Sequence, residues 1–177
     1  MWLQIDVQDL RRRGTHEAGL AGAKGGPDIA LPIHGAAGDQ QSALVGHGAL
    51  KAGEALGRAF GVSPGHTLFH SVVVHFENDQ PIQVEDRHVN PEVAPDYLTQ
   101  DFTSQTPNAY LMRVAPLQGV RFVIEACLPP RDVAEMLHMA PEEPCLVLRR
   151  QTHSQGQVAS VAAMWHPAAR YRFTGSF

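Results

Sequence analysis

The hydrophobic pattern of this chain becomes regular after Lys51. Three segments place apolar side chains at helical spacing, namely "KAGEALGRAFGVSPG", "TPNAYLMRV" and "PPRDVAEMLHM". In the second, Thr106 is the predicted N-cap and Pro107 the first helical residue. Strand-like runs lie between the helices, at residues 67–76, 82–89, 120–128, 145–153, 157–166 and 170–173. Hairpins separated by short helices predict an α+β fold built on an antiparallel β-sheet with flanking helices.

The segment "HTLFHSVVVHFENDQPIQVEDRHVNP", residues 66–91, predicts a β-hairpin whose faces depend on its turn. A two-residue turn would mix apolar and polar side chains on both faces. A three-residue turn with a bulge shifts the register by one residue and separates them, so we expect this second register. It places Val72, Val74, Phe76, Ile82 and Val84 on one face, and Ser71, Val73, His75, Gln83, Glu85 and Arg87 on the other.

The first 46 residues carry weaker signals. Thirteen of the sixteen glycines lie between Gly14 and Gly65, and "GLAGAKGGPDIALPIHGAAGDQQ" lacks sustained periodicity. Such a stretch is typical of loop or disorder. We therefore expect residues 1–13 to be the start of a domain or a linker remnant, and residues 14–46 to be poorly specified, with only "IALPI" as a candidate strand. The main domain is assigned to residues 47–177.

Composition narrows the class of protein. The 177 residues fit one domain with a proper core, and 44% hydrophobic with 18% charged residues is typical of a soluble globular chain. We see neither an apolar run long enough for a membrane span nor a secretory signal. Cys127 and Cys145 fit no disulfide framework or zinc spacing, which favours a cytoplasmic protein. The net charge of −4 predicts that this chain by itself binds DNA poorly.

The polar face of the hairpin allows more than one interpretation. His75, Glu85 and Arg87 form either a solvated salt-bridge network or the floor of a ligand pocket. A zinc site is not expected, because His70 and His75 point to opposite faces of an extended strand. His66, His70 and His88 could gather near one end of the hairpin, but their spacing matches no recognised metal motif.

Other candidate ligand contacts lie on later elements. Glu125 either lines the site or pairs with an arginine. Arg150 lies on the same side of its predicted strand as Leu146 and Leu148, so we expect its side chain to point inward. Three aromatic residues could stack on a flat ligand, with core packing as the alternative for each: Tyr110, Trp165 and Tyr171.

Three blocks of the sequence resemble a known family. They are "FHS…VHFEN…PIQ.EDR.VNP", "DYL..DF…TPN.YL" and the closing "HP..RYRF.G.F". Together they resemble the UTRA effector domain of GntR-family transcription regulators of the histidine-utilisation repressor type. The resemblance covers roughly residues 51–177, and "LQIDVQDL" near the start is similar to the segment where such a domain begins.

This resemblance implies a fold and a function. The family domain is an antiparallel sheet flanked by helices, similar to chorismate lyase, and is usually dimeric. It binds a small metabolite and relays this to an N-terminal winged helix that holds the operator; for histidine-utilisation repressors the metabolite is urocanate. The chain departs from the family pattern in lacking the winged helix, in its Gly-rich residues 14–46, and in having His88 where relatives more often carry tyrosine.

The resemblance also suggests roles for the candidate residues. Arg87 or Arg150 would hold the urocanate carboxylate, and Glu85, Glu125 or His75 would meet the ring nitrogens. Effector contacts in the family map onto Val73, His75 and Glu85 of the hairpin. Sugar-phosphate binders of the family favour arginine at the first two of these positions, so a phosphorylated ligand is not expected.

Two other functions are considered. The first is an enzyme on the chorismate-lyase-like scaffold, in which Glu85 or Glu125 would act with an arginine. We find no nucleophile motif or cofactor fingerprint that supports it. The second is a plain dimerisation module, which would bind no effector.

Overall fold

The computed structural model describes residues 40–173 of the chain. In chain order the elements are β1 (Gln40–Lys51), α1 (Glu54–Phe60), β2 (Thr67–Glu77), β3 (Gln80–Val89), a 3-10 helix (Tyr97–Thr99), α2 (Pro107–Val114), β4 (Gly119–Cys127), α3 (Arg131–Met136), β5 (Cys145–Ser154) and β6 (Gln157–Pro167). The strands form one sheet in the order β1-β2-β3-β6-β5-β4, and all neighbouring strands are antiparallel. The predicted α+β fold with an antiparallel sheet is confirmed.

The predicted helices and five of the predicted strands are present. Thr106 Oγ1 accepts a hydrogen bond from the Ala109 amide at 3.1 Å, which confirms the predicted N-cap of α2. Helix α1 ends at Gly61, whose φ of 70° is the left-handed conformation that glycine adopts at no steric cost.

The strand predicted at residues 170–173 is wrong, because the chain turns there. The amides of Arg170 and Tyr171 both donate to the carbonyl of Pro167 at 3.0 Å. The Arg170 guanidinium then donates to the backbone carbonyls of Pro81, Leu137 and His138. Side-chain bonds, and not a strand ladder, hold this segment against the domain.

The prediction for residues 14–46 is corrected at its C-terminal end, where residues 40–46 begin strand β1. The pairing with β2 shifts between Leu44 and Gly46, so Val45 is an extra, bulged residue. Exposure alternates regularly along β1, but the bulge moves its inward-facing positions from one face of the sheet to the other, and two of them, Gly46 and Gly48, have no side chain to give an apolar signal. Residues 1–39, including "IALPI", lie outside the described residues.

The β2–β3 hairpin has the predicted faces but reaches them differently. Its turn has two residues, Asn78 and Asp79, with φ of 50° and 62°, as a type I′ turn requires. The register then shifts, because Phe76 pairs with Pro81 while His75 pairs with Gln83, and Ile82 is the bulged residue. One bulge beyond an even turn therefore separates the polar and apolar side chains as an odd turn would have done.

Helices cover both faces of the sheet. On the face that carries Val72, Val74 and Val84, α3 packs through Val133, and its C-cap Leu137 joins the same core; we call this the α3 face. Helix α1 packs on the same face, against the neighbouring part of β2 and β6. The other face carries Val73 and is covered by α2 and the 3-10 helix; we call it the α2 face.

A membrane-spanning helix is not found in residues 40–173, where each helix is too short to cross a bilayer.

Candidate functional site

Arg87 occupies the centre of the α2 face and is completely buried. Strand β3 lies between β2 and β6 in the middle of the sheet, so its side chains on this face are shielded on both sides. Arg87 Nε donates to Glu85 Oε1 at 2.6 Å, and Arg87 Nη1 donates to Ser160 Oγ on β6 at 2.9 Å. Ser160 Oγ also lies 2.8 Å from Thr152 Oγ1 on β5. The guanidinium is thus tied to three neighbouring strands.

Glu85 balances the charge of Arg87 inside the domain. Burial by itself would raise the pKa of Glu85, but the Arg87 guanidinium, with a contribution from His75, holds that pKa well below its ordinary value. His75 Nε2 lies 3.7 Å from Glu85 Oε2, too far for a hydrogen bond. The other ring nitrogen, His75 Nδ1, is 2.9 Å from Ser42 Oγ on β1. Glu85 therefore remains ionised, with an imidazole fixed beside it.

A second arginine, Arg150 on β5, reaches the same region. Burial, followed by the nearby charge of Arg87, lowers the pKa of Arg150 to about 10. Arg150 Nη2 donates to Asn108 Oδ1 at the start of α2. Both arginines line a small cleft between α2 and the sheet, whose other lining residues are Asn108, Leu111, Met112, Ala115, Leu117, Thr152, His153, Ala159 and Ser160.

Several buried polar atoms on the α2 face have no hydrogen-bond partner within residues 40–173. They include Arg87 Nη2 and Arg150 Nε, together with His75 Nε2 and Gln83 Nε2. Glu85 is the carboxylate that pairs with Arg87. Among the described residues, two guanidinium groups therefore lie in this region beside one carboxylate. Leaving a buried donor unpaired is costly. The region is therefore suited to an anion that accepts from both arginines, such as a carboxylate.

Of the predicted residues on the α2 face, Arg87 and Arg150 line the cleft, whereas Ser71, His75, Glu85, Tyr110 and Tyr171 do not. Ser71 Oγ shares a hydrogen bond of 2.7 Å with Tyr97 Oη. Tyr110 packs in the apolar cluster around Tyr97. Tyr171 stacks on His166 with ring centroids 4.0 Å apart.

His166 is a buried imidazole near His75 and Glu85. Burial lowers its pKa to about 4, and His75 contributes in the same direction. Within the described part of the chain, neither ring nitrogen makes a hydrogen bond of regular geometry. His166 is therefore neutral near pH 7.

Two alternatives stood for Glu125 and for Trp165, and in both cases the structure shows the one without a ligand: Glu125 pairs with an arginine and Trp165 packs in the core. Glu125 on β4 and Trp165 on β6 both pair with Val147 of β5, which packs in the core of the α3 face. Arg149 joins them there, donating from Nε to Glu125 Oε1 at 2.5 Å with its guanidinium 5.9 Å from the Trp165 ring. These residues lie on the other side of the sheet from Arg87.

Sequence reasoning missed three cleft residues that hydrogen-bond to the arginines or to their partners, namely Asn108, Thr152 and Ser160, and it missed Tyr97, which bonds to Ser71 on the same face. Thr152 alternates in phase with Arg150 along β5, so the pattern of that strand could have identified it. Asn108 stands inside the block "TPN.YL" that carried the family resemblance. Ser160 and Tyr97 had no local signal, because their positions depend on how β6 and the 3-10 helix pack against β2 and β3.

Comparison with known proteins agrees with this fold. The model of the UTRA domain matches residues 37–172. A histidine utilization repressor of Pseudomonas putida is 47% identical over 126 residues, which are 71% of this chain and 51% of that protein. The chain spans about half the length of the curated relatives it matches. All three of these relatives are named as histidine utilization repressors.

Solved structures give the same result. The C-terminal domain of the histidine utilization repressor from Pseudomonas syringae pv. tomato str. DC3000 superposes with a TM-score of 0.75 at 45% identity, covering 78% of this chain and 98% of that one. A GntR-family transcriptional regulator from Enterococcus faecalis V583 shares the fold alone, with a TM-score of 0.67 at 15% identity over 77% of this chain and 99% of that one. The chain therefore belongs to the UTRA domain family, and within it resembles the C-terminal domain of histidine utilization repressors.

Proposed function

We propose that this domain binds urocanate, or a related imidazole carboxylate, as the effector of a transcriptional repressor of histidine-utilisation genes. The observation that carries the proposal is the pair of arginines in one cleft, Arg87 and Arg150, each with a buried donor that lacks a partner among the described residues. An acrylate carboxylate could accept hydrogen bonds from both. The names of the relatives supply the choice of histidine metabolism.

The neighbouring groups fit the rest of such a ligand. An imidazole ring offers one donor and one acceptor when neutral. Ionised Glu85 accepts hydrogen bonds, and His75 Nε2 stands beside it at 3.7 Å without a hydrogen-bond partner among residues 40–173. The cleft is small as it stands, so ligand entry would require α2 to move away from β5. The bond between Arg150 and Asn108 is one contact that such a movement would break.

We further propose that the domain acts as a homodimer in the cytoplasm, with DNA held by a winged helix outside the UTRA domain. Strand β4 is an edge strand that exposes four large apolar side chains: Val120, Phe122, Val123 and Ile124. An apolar edge of this kind is suited to pairing with a second copy. Sedimentation of the chain should give a dimer, and Val123→Lys should give a monomer; a monomeric parent chain would contradict this assignment.

Effector binding would act on DNA by favouring one of two arrangements of the dimer. A ligand shifts such an equilibrium only through its different affinity for the two states. Couplings of this kind are typically about 1–3 kcal/mol. The contact between α2 and β5 is the element that we expect to differ between the states.

The test is a thermal-shift and calorimetric titration of the chain with trans-urocanate. At about 100 times its dissociation constant, urocanate should add about 2.7 kcal/mol to the free energy of unfolding. Arg150→Gln should weaken binding at least about tenfold, since one charge-assisted contact is lost. The matched control is Arg149→Gln, which removes the neighbouring arginine on the α3 face and should leave the affinity unchanged.

Two further probes define what is recognised. trans-Cinnamate keeps the acrylate but lacks the ring nitrogens, so it should bind more weakly than urocanate. The absorbance of urocanate should stay constant during incubation, and its loss would favour the alternative of an enzyme. The proposal fails if urocanate does not stabilise the chain, or if the two arginine variants lose affinity equally.

A further inference from the structure

A second cluster of ionisable side chains lies on the α3 face, behind the arginine site. His70 on β2 pairs directly with His88 on β3, and Asp86 stands two residues before His88 on the same face. Alternation along β3 places Asp86 between Glu85 and Arg87 in sequence but on the opposite side of the sheet. The cluster of His70, Asp86 and His88 is thus separate from the proposed effector site.

The geometry points to a binding site for a divalent transition-metal ion, and we propose that these three residues ligate Zn²⁺ or a similar ion. One ligand atom from each residue lies within 4.8 Å of the others. His70 Nε2 is 3.0 Å and His88 Nδ1 is 3.6 Å from Asp86 Oδ1. Ligands at about 2.0–2.1 Å in a tetrahedral arrangement are separated by roughly 3.3 Å. These two distances lie on either side of this value, and the two imidazoles, whose rings are stacked with centroids 4.5 Å apart, would turn so that each points one nitrogen at the ion.

The state of Asp86 gives an independent argument for a cation. Its side chain is completely buried, and its Oδ1 accepts a hydrogen bond from His70 Nε2. Its Oδ2 has no hydrogen-bond partner within residues 40–173. A buried carboxylate is normally stabilised by several hydrogen bonds or a paired charge. An ion bound to the cluster would supply that charge.

The ligand atoms indicate the type of ion, and the opening beside His70 gives an ion access to the cluster. Two imidazoles with one carboxylate suit Zn²⁺, Ni²⁺ or Cu²⁺ better than Ca²⁺ or Mg²⁺, which prefer oxygen ligands. His70 pairs with Gly48 of the edge strand β1, and a Cβ placed on Gly48 would meet no atom of the described structure within 4 Å. An ion could therefore approach His70 past this glycine, and once bound it would cross-link β2 to β3.

The experiment is a calorimetric titration of the untagged, chelator-treated chain with ZnCl₂, together with its melting temperature. We expect the parent chain to bind one more Zn²⁺ than Asp86→Asn or His88→Phe, and to gain thermal stability that both variants lose. Affinity for this ion should fall by about 100-fold or more, beyond the effect of outer-shell substitutions. Asp86→Asn keeps the size of the side chain, so folding is expected to persist.

The matched control is His47→Gln. His47 pairs with Ser71 and so lies on the α2 face, where its Nε2 contacts the carbonyl of Leu98. Glutamine retains a donor for that carbonyl, so this variant should bind as many ions as the parent. Equal stoichiometry in the parent chain and Asp86→Asn would overturn the proposal, and the same three residues would then form a metal-free hydrogen-bonded cluster. Equal loss in His47→Gln would overturn it as well.

Discussion

Two arginine–glutamate pairs of almost equal length lie in different parts of this sheet. Arg87 Nε and Glu85 Oε1 are 2.6 Å apart on the central strand β3, where the side chains are 0% and 1% exposed. Arg149 Nε and Glu125 Oε1 are 2.5 Å apart and join β5 to the edge strand β4, where the side chains are 17% and 40% exposed. Contact distance alone would rank the two pairs as equivalent.

The difference in burial changes what each pair can do. Around Arg149, solvent screens the charges, and such a pair contributes little to stability. Around Arg87, neither charge can be hydrated, so each depends on the other and on Ser160. Arg87 also keeps an unpartnered Nη2 within the described part of the chain, beside a second arginine in a cleft. The central pair therefore forms the proposed anion site, whereas the edge pair covers Trp165.

The largest expected effect comes from removing each glutamate in turn. Glu85→Ala leaves the Arg87 charge buried without its partner and should lower the free energy of unfolding by about 3–5 kcal/mol. Glu125→Ala should lower it by about 1 kcal/mol or less, because Arg149 can be hydrated. Urea denaturation of both variants and the parent chain measures the difference.

A double variant separates charge from lost packing. Replacing both partners, as Glu85→Ala with Arg87→Met, removes the unpaired buried charge and should recover part of the stability that Glu85→Ala loses. Equal destabilisation by Glu85→Ala and Glu125→Ala would show that burial does not distinguish the two pairs. If the double variant recovers no stability, the stability lost in Glu85→Ala comes from packing alone.

The same comparison explains how far the sequence could predict the site. Alternation within the β2–β3 hairpin was sufficient to place His75, Glu85 and Arg87 on one face, because both strands are adjacent in the chain. Glu125 belongs to β4, and the side of the sheet on which it lies relative to Arg87 depends on three further pairings: β4 with β5, β5 with β6 and β6 with β3. A register shift between Thr152 and His153 also interrupts the second pairing.

Long-range packing limits the prediction in other places. Strand β6 inserts between β3 and β5 in the sheet, and this placement decides that Trp165 faces the α3 side while Ser160 contacts Arg87. Nothing in the local pattern of β6 identifies its neighbour. The first strand was missed for a different reason: two of its inward-facing positions are glycines, Gly46 and Gly48, so its sequence shows no apolar alternation.

Lowering the pH should have a smaller effect on stability, because it favours a positive charge on the buried side chain of His166. Burial keeps the folded-state pKa of His166 at about 4, below its ordinary value of 6.5. The stability associated with neutral His166 is fully present above pH 6.5 and is lost as the pH falls from 6.5 towards 4, because the unfolded chain then binds a proton that the folded chain refuses. The loss is about 1.4 kcal/mol per pH unit, or roughly 3 kcal/mol over this range.

His166→Phe tests this contribution by itself. Phenylalanine can keep the stacking on Tyr171, which has a centroid distance of 4.0 Å, but it cannot be protonated. Urea denaturation between pH 8 and pH 4 should show a smaller fall in stability for His166→Phe than for the parent chain. The two proteins differ only at residue 166, so the difference between the two curves reports the contribution of His166. Parallel curves would mean that the folded chain accepts a proton on His166 as readily as the unfolded chain does. Burial would then not distinguish the interior of the domain from its solvated edge.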